Sequence, residues 1–90
     1  MTGQIATSKA GHDKDTIYVI VNEDSEYFYL CDGRGKTPEK PKKKRKKHVQ
    51  LIYAFAQDSI RTRLEAGDKV YPEEIRMTIK QYNMRKTNKM

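Results

Sequence analysis

The sequence predicts a small, mainly β domain, a curved antiparallel sheet or barrel followed by two short C-terminal α-helices. Three observations carry this. Four β-branched and aromatic segments alternate with turn residues over residues 3–56, helical spacing replaces that pattern afterwards, and 90 residues suffice for one modest core.

The first segment, QIATS at 4–8, precedes the turn-rich KAGHDKD. TIYVIV (16–21) and YFYLCD (27–32) flank the polar NEDSE, which reads as a hairpin connection of four or five residues. Glycines at 33 and 35 make DGRGK a second turn by admitting positive φ. HVQLIYAF (48–55) restarts the strand pattern. The IYVIV and YFYLC segments are apolar on both faces, as strands covered on both sides should be.

Beyond residue 56, Asp58 or Ser59 can cap a short helix with Ile60 and Leu64 on one face and Gly67 as its stop. A second helix begins at Pro72, where a missing N–H costs nothing, with Glu73 and Glu74 at the favourable end of its dipole. Val70 is placed to staple onto Ile75, and Ile75, Ile79 and Tyr82 form a stripe for packing on the sheet. The polar end, MRKTNKM, is expected to fray. These boundaries give a barrel at 3–56 with a basic loop at 36–48, a helical extension at 57–86 packing on it, and a flexible tail at 87–90.

Charge is the most informative property. The net charge is +7, from 19 Lys and Arg against 12 Asp and Glu, and residues 40–47 alone hold seven of the basic residues. The remainder is neutral, so one edge of an ordinary domain is built to face a polyanion. PKKKRK (41–46) has the form of a nuclear-import signal, but its place between two candidate strands of one sheet speaks against a mobile tag. A solvated loop is the plain reading of a charge run. Phosphate contact gives seven mutually repelling cations a reason to stand together, because each contact releases counterion.

Other classes find less support. Cys31 is the only cysteine and lies in an apolar run, which excludes an intramolecular disulfide and predicts a reducing compartment; with only His12 and His48 beside it, a structural zinc site is not expected. The longest apolar run, LIYAFA (51–56), is far below spanning length and the N-terminus has no signal-peptide core, so no membrane role is expected and a cytoplasmic location is. Asp13 and Asp15, or Glu23, Asp24 and Glu26, could bind a hard cation, yet they read as ordinary turn residents. With no nucleophile beside a base, no P-loop and no nucleotide fingerprint, neither an enzyme nor a cofactor is expected. Tyr18, Tyr27, Tyr29 and Tyr53 could stack on unpaired bases, but in a chain without Trp they are first needed as core.

Residues 3–51 carry a resemblance. The opening G-x-I-A-x-S-x-A-G-x-D-K, the apolar strand after it, Y-L-x-D-G-R, and EKPKKKRKKH followed by a short strand look like a KOW module of the ribosomal fourteen-e type. They look still more like the short KOW-domain RNA-binding proteins of bacteria, whose C-terminal extension YPEEIRMTIKQY also resembles. The resemblance implies an SH3-like (KOW) small β-barrel that binds RNA, usually ribosomal, without catalysis. It nominates Lys9, Gly11, His12 and Lys14 in the first loop, then Arg34, Lys36, Lys40, Lys42, Lys43, Lys44, Arg45, Lys46, Lys47 and His48. Asp15 stands where the family has the KOW glycine; Asp tolerates positive φ, but its charge opposes close approach to phosphate. The partner expected is therefore RNA, most of all ribosomal RNA, with ribosomal proteins as further candidates and the chain itself a monomer. The alternative is a protein-docking KOW module that uses the helical face of Ile75, Ile79 and Tyr82 to bind a ribosomal or transcription-complex protein.

Overall fold

Five antiparallel strands and two helices make up the computed structural model, which describes residues 2–9, 16–56 and 58–87, the side chains at 53–56, 58, 59, 86 and 87 excepted. In chain order they are β1 (Gln4–Ser8), β2 (Ile17–Glu23), β3 (Tyr27–Cys31), β4 (Lys42–Arg45), β5 (Val49–Ala56), α1 (Asp58–Glu65) and α2 (Pro72–Thr87). A 3-10 turn, Lys46–His48, joins β4 to β5. The fold is mainly β with both helices at its C-terminal end, as the sequence predicts. Among the described residues no helix is long and apolar enough to cross a membrane.

The strands form one sheet in the order β4-β3-β2-β1-β5. β4 and β5 thus occupy opposite edges, yet only the 3-10 turn separates them along the chain. Laid flat, five strands would hold the edges about 19 Å apart at their usual spacing, whereas four Cα steps reach at most about 14 Å. The sheet therefore curls into a half-barrel. Lys9 N–H donates to the His48 carbonyl at 2.8 Å and Lys46 N–H to the Glu26 carbonyl at 3.0 Å, which ties the turn to both flanks. The Gln4 side-chain amide donates to the Ile52 carbonyl beside a register shift between Gln4 and Ile5.

Both faces are buried at the centre of the sheet, which is why IYVIV and YFYLC lack a polar row. Ala6, Tyr18, Ile20, Phe28, Leu30 and Val49 pack together on one face. On the other, Ile5, Val19 and Cys31 meet Ile60, Val70 and Ile75, with Leu64, Ile79 and Tyr82 against them. The predicted helical stripes are thus core contacts, fully so at Ile75 and in part at Ile79 and Tyr82. Cys31 donates its thiol to the Lys36 carbonyl at 2.9 Å, and burial pushes its pKa up to about 11, far from a reactive thiolate.

Local chemistry seats the helices. α1 ends where Gly67 takes φ +79°, with Gly67 N–H on the Leu64 carbonyl and Asp68 N–H on the Arg63 carbonyl, the paired bonds of a Schellman stop. It begins at Asp58, so the expected caps Asp58 and Ser59 fall within its first turn, where their side chains lie outside the described residues. At α2, Glu74 reaches back to the Tyr71 N–H at 2.9 Å, one half of a capping box, while Val70 and Ile75 form the predicted staple. Arg63 grips both carboxylate oxygens of Glu74 and the Lys69 carbonyl, clamping α1 to α2. That guanidinium, helped by the Tyr71 N–H, holds the Glu74 carboxyl below its ordinary value. Gly33 has φ +77°, and a Cβ there would sit 2.6 Å from the Pro72 carbonyl oxygen, so the turn after β3 carries the start of α2 directly.

Three expectations need correction. The β2–β3 connection is only residues 24–26, because Asp24 Oδ1 accepts the N–H groups of both Glu26 and Tyr27 and tightens the turn. Gly33 has positive φ whereas Gly35 does not, since Asp32 Oδ1 already organises the turn through the Arg34 and Lys36 N–H groups. The polar end remains helical through Thr87, supported by the helix propensity of Met and Arg and by cations near the negative end of the dipole. The rest of the predicted tail, 88–90, lies outside the described residues.

Candidate nucleic-acid interface

The basic run is a strand where the sequence predicts a loop. Lys42–Arg45 pairs antiparallel with β3 in the register Tyr27↔Arg45, Phe28↔Lys44, Tyr29↔Lys43, Leu30↔Lys42. Lysine is a weak strand former by itself, and the ladder to an apolar β3 decides the outcome. On an outer strand, lysines also discourage pairing with another chain.

Strand geometry divides the cations into two rows. Lys42 and Lys44 share the parity of Leu30 and Phe28 and are half-buried, their alkyl stems extending the apolar surface. Lys43 and Arg45 point the other way and are exposed. Lys43 Nζ lies 4.3 Å and Arg45 Cζ 5.4 Å from the centroid of the Tyr27 ring, so one aromatic holds both charges.

Lys46 is neither loop nor free charge. Its ammonium lies 2.8 Å from Glu23 Oε1 and 5.0 Å from the Phe28 ring centroid, and it holds the Glu23 carboxyl below its ordinary value. Lys47 and His48 are exposed on the 3-10 turn, and Lys40 is exposed in the turn that its N–H closes onto the Thr37 carbonyl. Of the seven cations at 40–47, Lys40, Lys43, Arg45 and Lys47 are exposed and Lys42, Lys44 and Lys46 half-buried.

The structure gathers some nominated residues and separates others. Lys9 is exposed and joined to the strip through its bond to His48. Arg34 instead lines an open groove of about 720 Å³ along α2, with Arg76, Met77, Lys80 and Met84 and without any residue of the basic run. Lys36 has an exposed side chain, while its carbonyl accepts the Asp32 and Gly33 N–H groups and the Cys31 thiol. Gly11, His12 and Lys14, together with Asp13 and Asp15, lie outside the described residues.

The tyrosines also divide. Tyr18 is core at 3 % exposure. Tyr27 and Tyr29 are half-buried in the Lys43–Arg45 row, where the sequence argument expected core filling. Once Phe28 and Leu30 are assigned to one face, their odd-numbered neighbours must lie on the other, which α1 and α2 cover at Cys31 but leave half-open at Tyr27 and Tyr29; the alternation was present in YFYLC. Tyr29 donates its hydroxyl to Asp24 Oδ2 at 2.9 Å, which raises its own pKa. Asp24 is held below its ordinary value mainly by the Glu26 and Tyr27 N–H groups, then by that hydroxyl. Glu23 and Asp24, two of the candidate cation ligands, are therefore already engaged. The Tyr53 side chain lies outside the described residues.

No known family model matches the chain, and no curated protein matches it in sequence.

Proposed function

We propose that this chain is a non-catalytic, cytoplasmic RNA-binding protein, a monomeric module of the SH3-like KOW kind that associates with the ribosome by contacting phosphates of structured ribosomal RNA. The observation that carries the reading is the exposed cationic strip formed by Lys40, Lys43, Arg45 and Lys47, with Lys9 and His48 beside its 3-10 turn. Within the strip, Lys43 and Arg45 are alternate residues of β4 and stand about 6.6 Å apart along one face, with Lys40 before the strand and Lys47 on the turn after it. The half-buried Lys42, Lys44 and Lys46 support the strip from behind. Because it is rich in Lys, it positions RNA as point charges and reads no base through a planar fork.

Fluorescence anisotropy with a ribosomal RNA fragment tests this reading. Four phosphate contacts give a log affinity that falls by roughly 3 per decade of salt. Lys43→Glu/Arg45→Glu/Lys47→Glu is expected to abolish binding, and retained affinity would refute the strip. Sedimentation of cell lysate through sucrose at low and high salt tests the ribosomal assignment: co-migration with the large subunit that salt removes fits a peripheral clamp.

A further inference from the structure

We infer that the groove beside Tyr29 receives an unpaired RNA base bearing an exocyclic amine, cytosine being the simplest; the inference deepens the RNA-binding reading above and rests on it.

The outward row of the β3–β4 pair is Arg45 and Tyr27, then Lys43 and Tyr29. At its Tyr29 end it opens into a groove of about 400 Å³, within the range of small-molecule sites. One wall is the β3–β4 connection with Pro38, Glu39 and Pro41, and the other is the α1–α2 connection with Asp68. Cations therefore line the approach, and an aromatic ring lies at the end between walls that mix apolar residues with Glu39, Asp68 and Lys69. This is the arrangement by which single-strand readers hold a backbone while stacking its bases. The Tyr29 hydroxyl bond to Asp24 fixes the ring before any base arrives.

Charge decides which part of a nucleotide goes where. Lys43 and Arg45 attract phosphate on the approach, whereas in the groove the two carboxylates of Glu39 and Asp68 outnumber the one ammonium, Lys69. Ionised carboxylates only accept hydrogen bonds, so the groove suits a base edge that donates. Cytosine offers its N4 amine, and uracil carries a carbonyl oxygen at the same position. The ion pair of Lys69 with Glu39 across the groove, at 3.9 Å, joins two exposed side chains and is weak enough to open.

The test measures binding of labelled C12 and U12 RNA to the full chain by anisotropy, with thermal unfolding of every variant. C12 is expected to bind about tenfold tighter than U12. Tyr29→Leu should lower C12 affinity about tenfold, in line with the cost of losing one stacked base, while Tyr29→Phe keeps most of it. Glu39→Ala/Asp68→Ala removes two exposed carboxylates and should bring C12 down to U12; this variant carries the test if Tyr29→Leu fails to fold. Equal binding of C12 and U12, or full C12 affinity in both the Tyr29→Leu and the double variant, overturns the base site. If Lys43→Glu/Arg45→Glu then still abolishes binding, the phosphate strip survives without it. A wild-type chain that binds no RNA at low salt sinks both readings.

Discussion

β2 and β4 flank the same strand, β3, and obey the same alternation, yet one is apolar on both faces and the other is four consecutive cations. In β2, Tyr18 and Ile20 enter one core and Val19 the other. In β4 the inward positions are lysine stems and the outward positions are charges over a tyrosine ring. The difference teaches that partner register can make a strand from residues with little preference for one, provided that their aliphatic parts lie on apolar neighbours. It also separates two duties: β2 carries stability and β4 carries charge.

The strongest way to break that division is to cut both sides of one ladder pair. Leu30, fully buried, lies directly opposite Lys42. Leu30→Ala should cost about 2–5 kcal/mol in urea unfolding, against under about 1 kcal/mol for Lys42→Ala. Similar losses would make β4 a core strand after all. Next in size is Gly33→Ala, which forces a left-handed conformation and a contact with the Pro72 carbonyl; a loss of about 2 kcal/mol or more is expected. An unchanged midpoint would mean that α2 is not seated on this turn.

A finer test compares the two rows of β4. Lys43→Glu/Arg45→Glu should leave the unfolding midpoint nearly unchanged, within about 0.5 kcal/mol of wild type, whereas Lys42→Glu/Lys44→Glu lowers it by placing carboxylates against Phe28 and Leu30. Equal effects would erase the distinction between rows.

The smallest effect is in pH. Glu23 is held below its ordinary value of 4.5 by Lys46. A depressed folded pKa contributes stability that is present above the unfolded value and lost as pH falls through the folded one. Melting temperature should therefore drop on acidification below about 4.5. Lys46→Met should flatten part of that limb and leave the part that arises from Glu74 and Arg63. An acid limb unaltered by Lys46→Met would show that the pair contributes nothing.

Much of this architecture was legible because its signals are local. Pro72, Glu74 and Val70 mark the start of α2, Gly67 marks the stop of α1, and the apolar runs mark β1, β2, β3 and β5. β4 was not legible, since KKKR has neither a strand composition nor an apolar face. A hint lay in length: a structureless segment at 36–48 falls where loops become uncommon. The site was half legible. Composition located the cations, but only the β3 register could show that Lys42 and Lys44 lie on the Phe28 and Leu30 face while Lys43 and Arg45 share the other with Tyr27 and Tyr29.

The closure of the sheet has a consequence for synthesis. β1 emerges from the ribosome first and can pair with β2 at once, but its second edge waits for β5, whose Ile52 carbonyl meets the Gln4 side chain 48 residues earlier in the chain. Until then Ile5 and Ala6, fully buried in the finished fold, sit on an unpaired strand edge. A nascent chain that stalls before residue 49 therefore displays an aggregation-prone border, which the arrival of β5 closes.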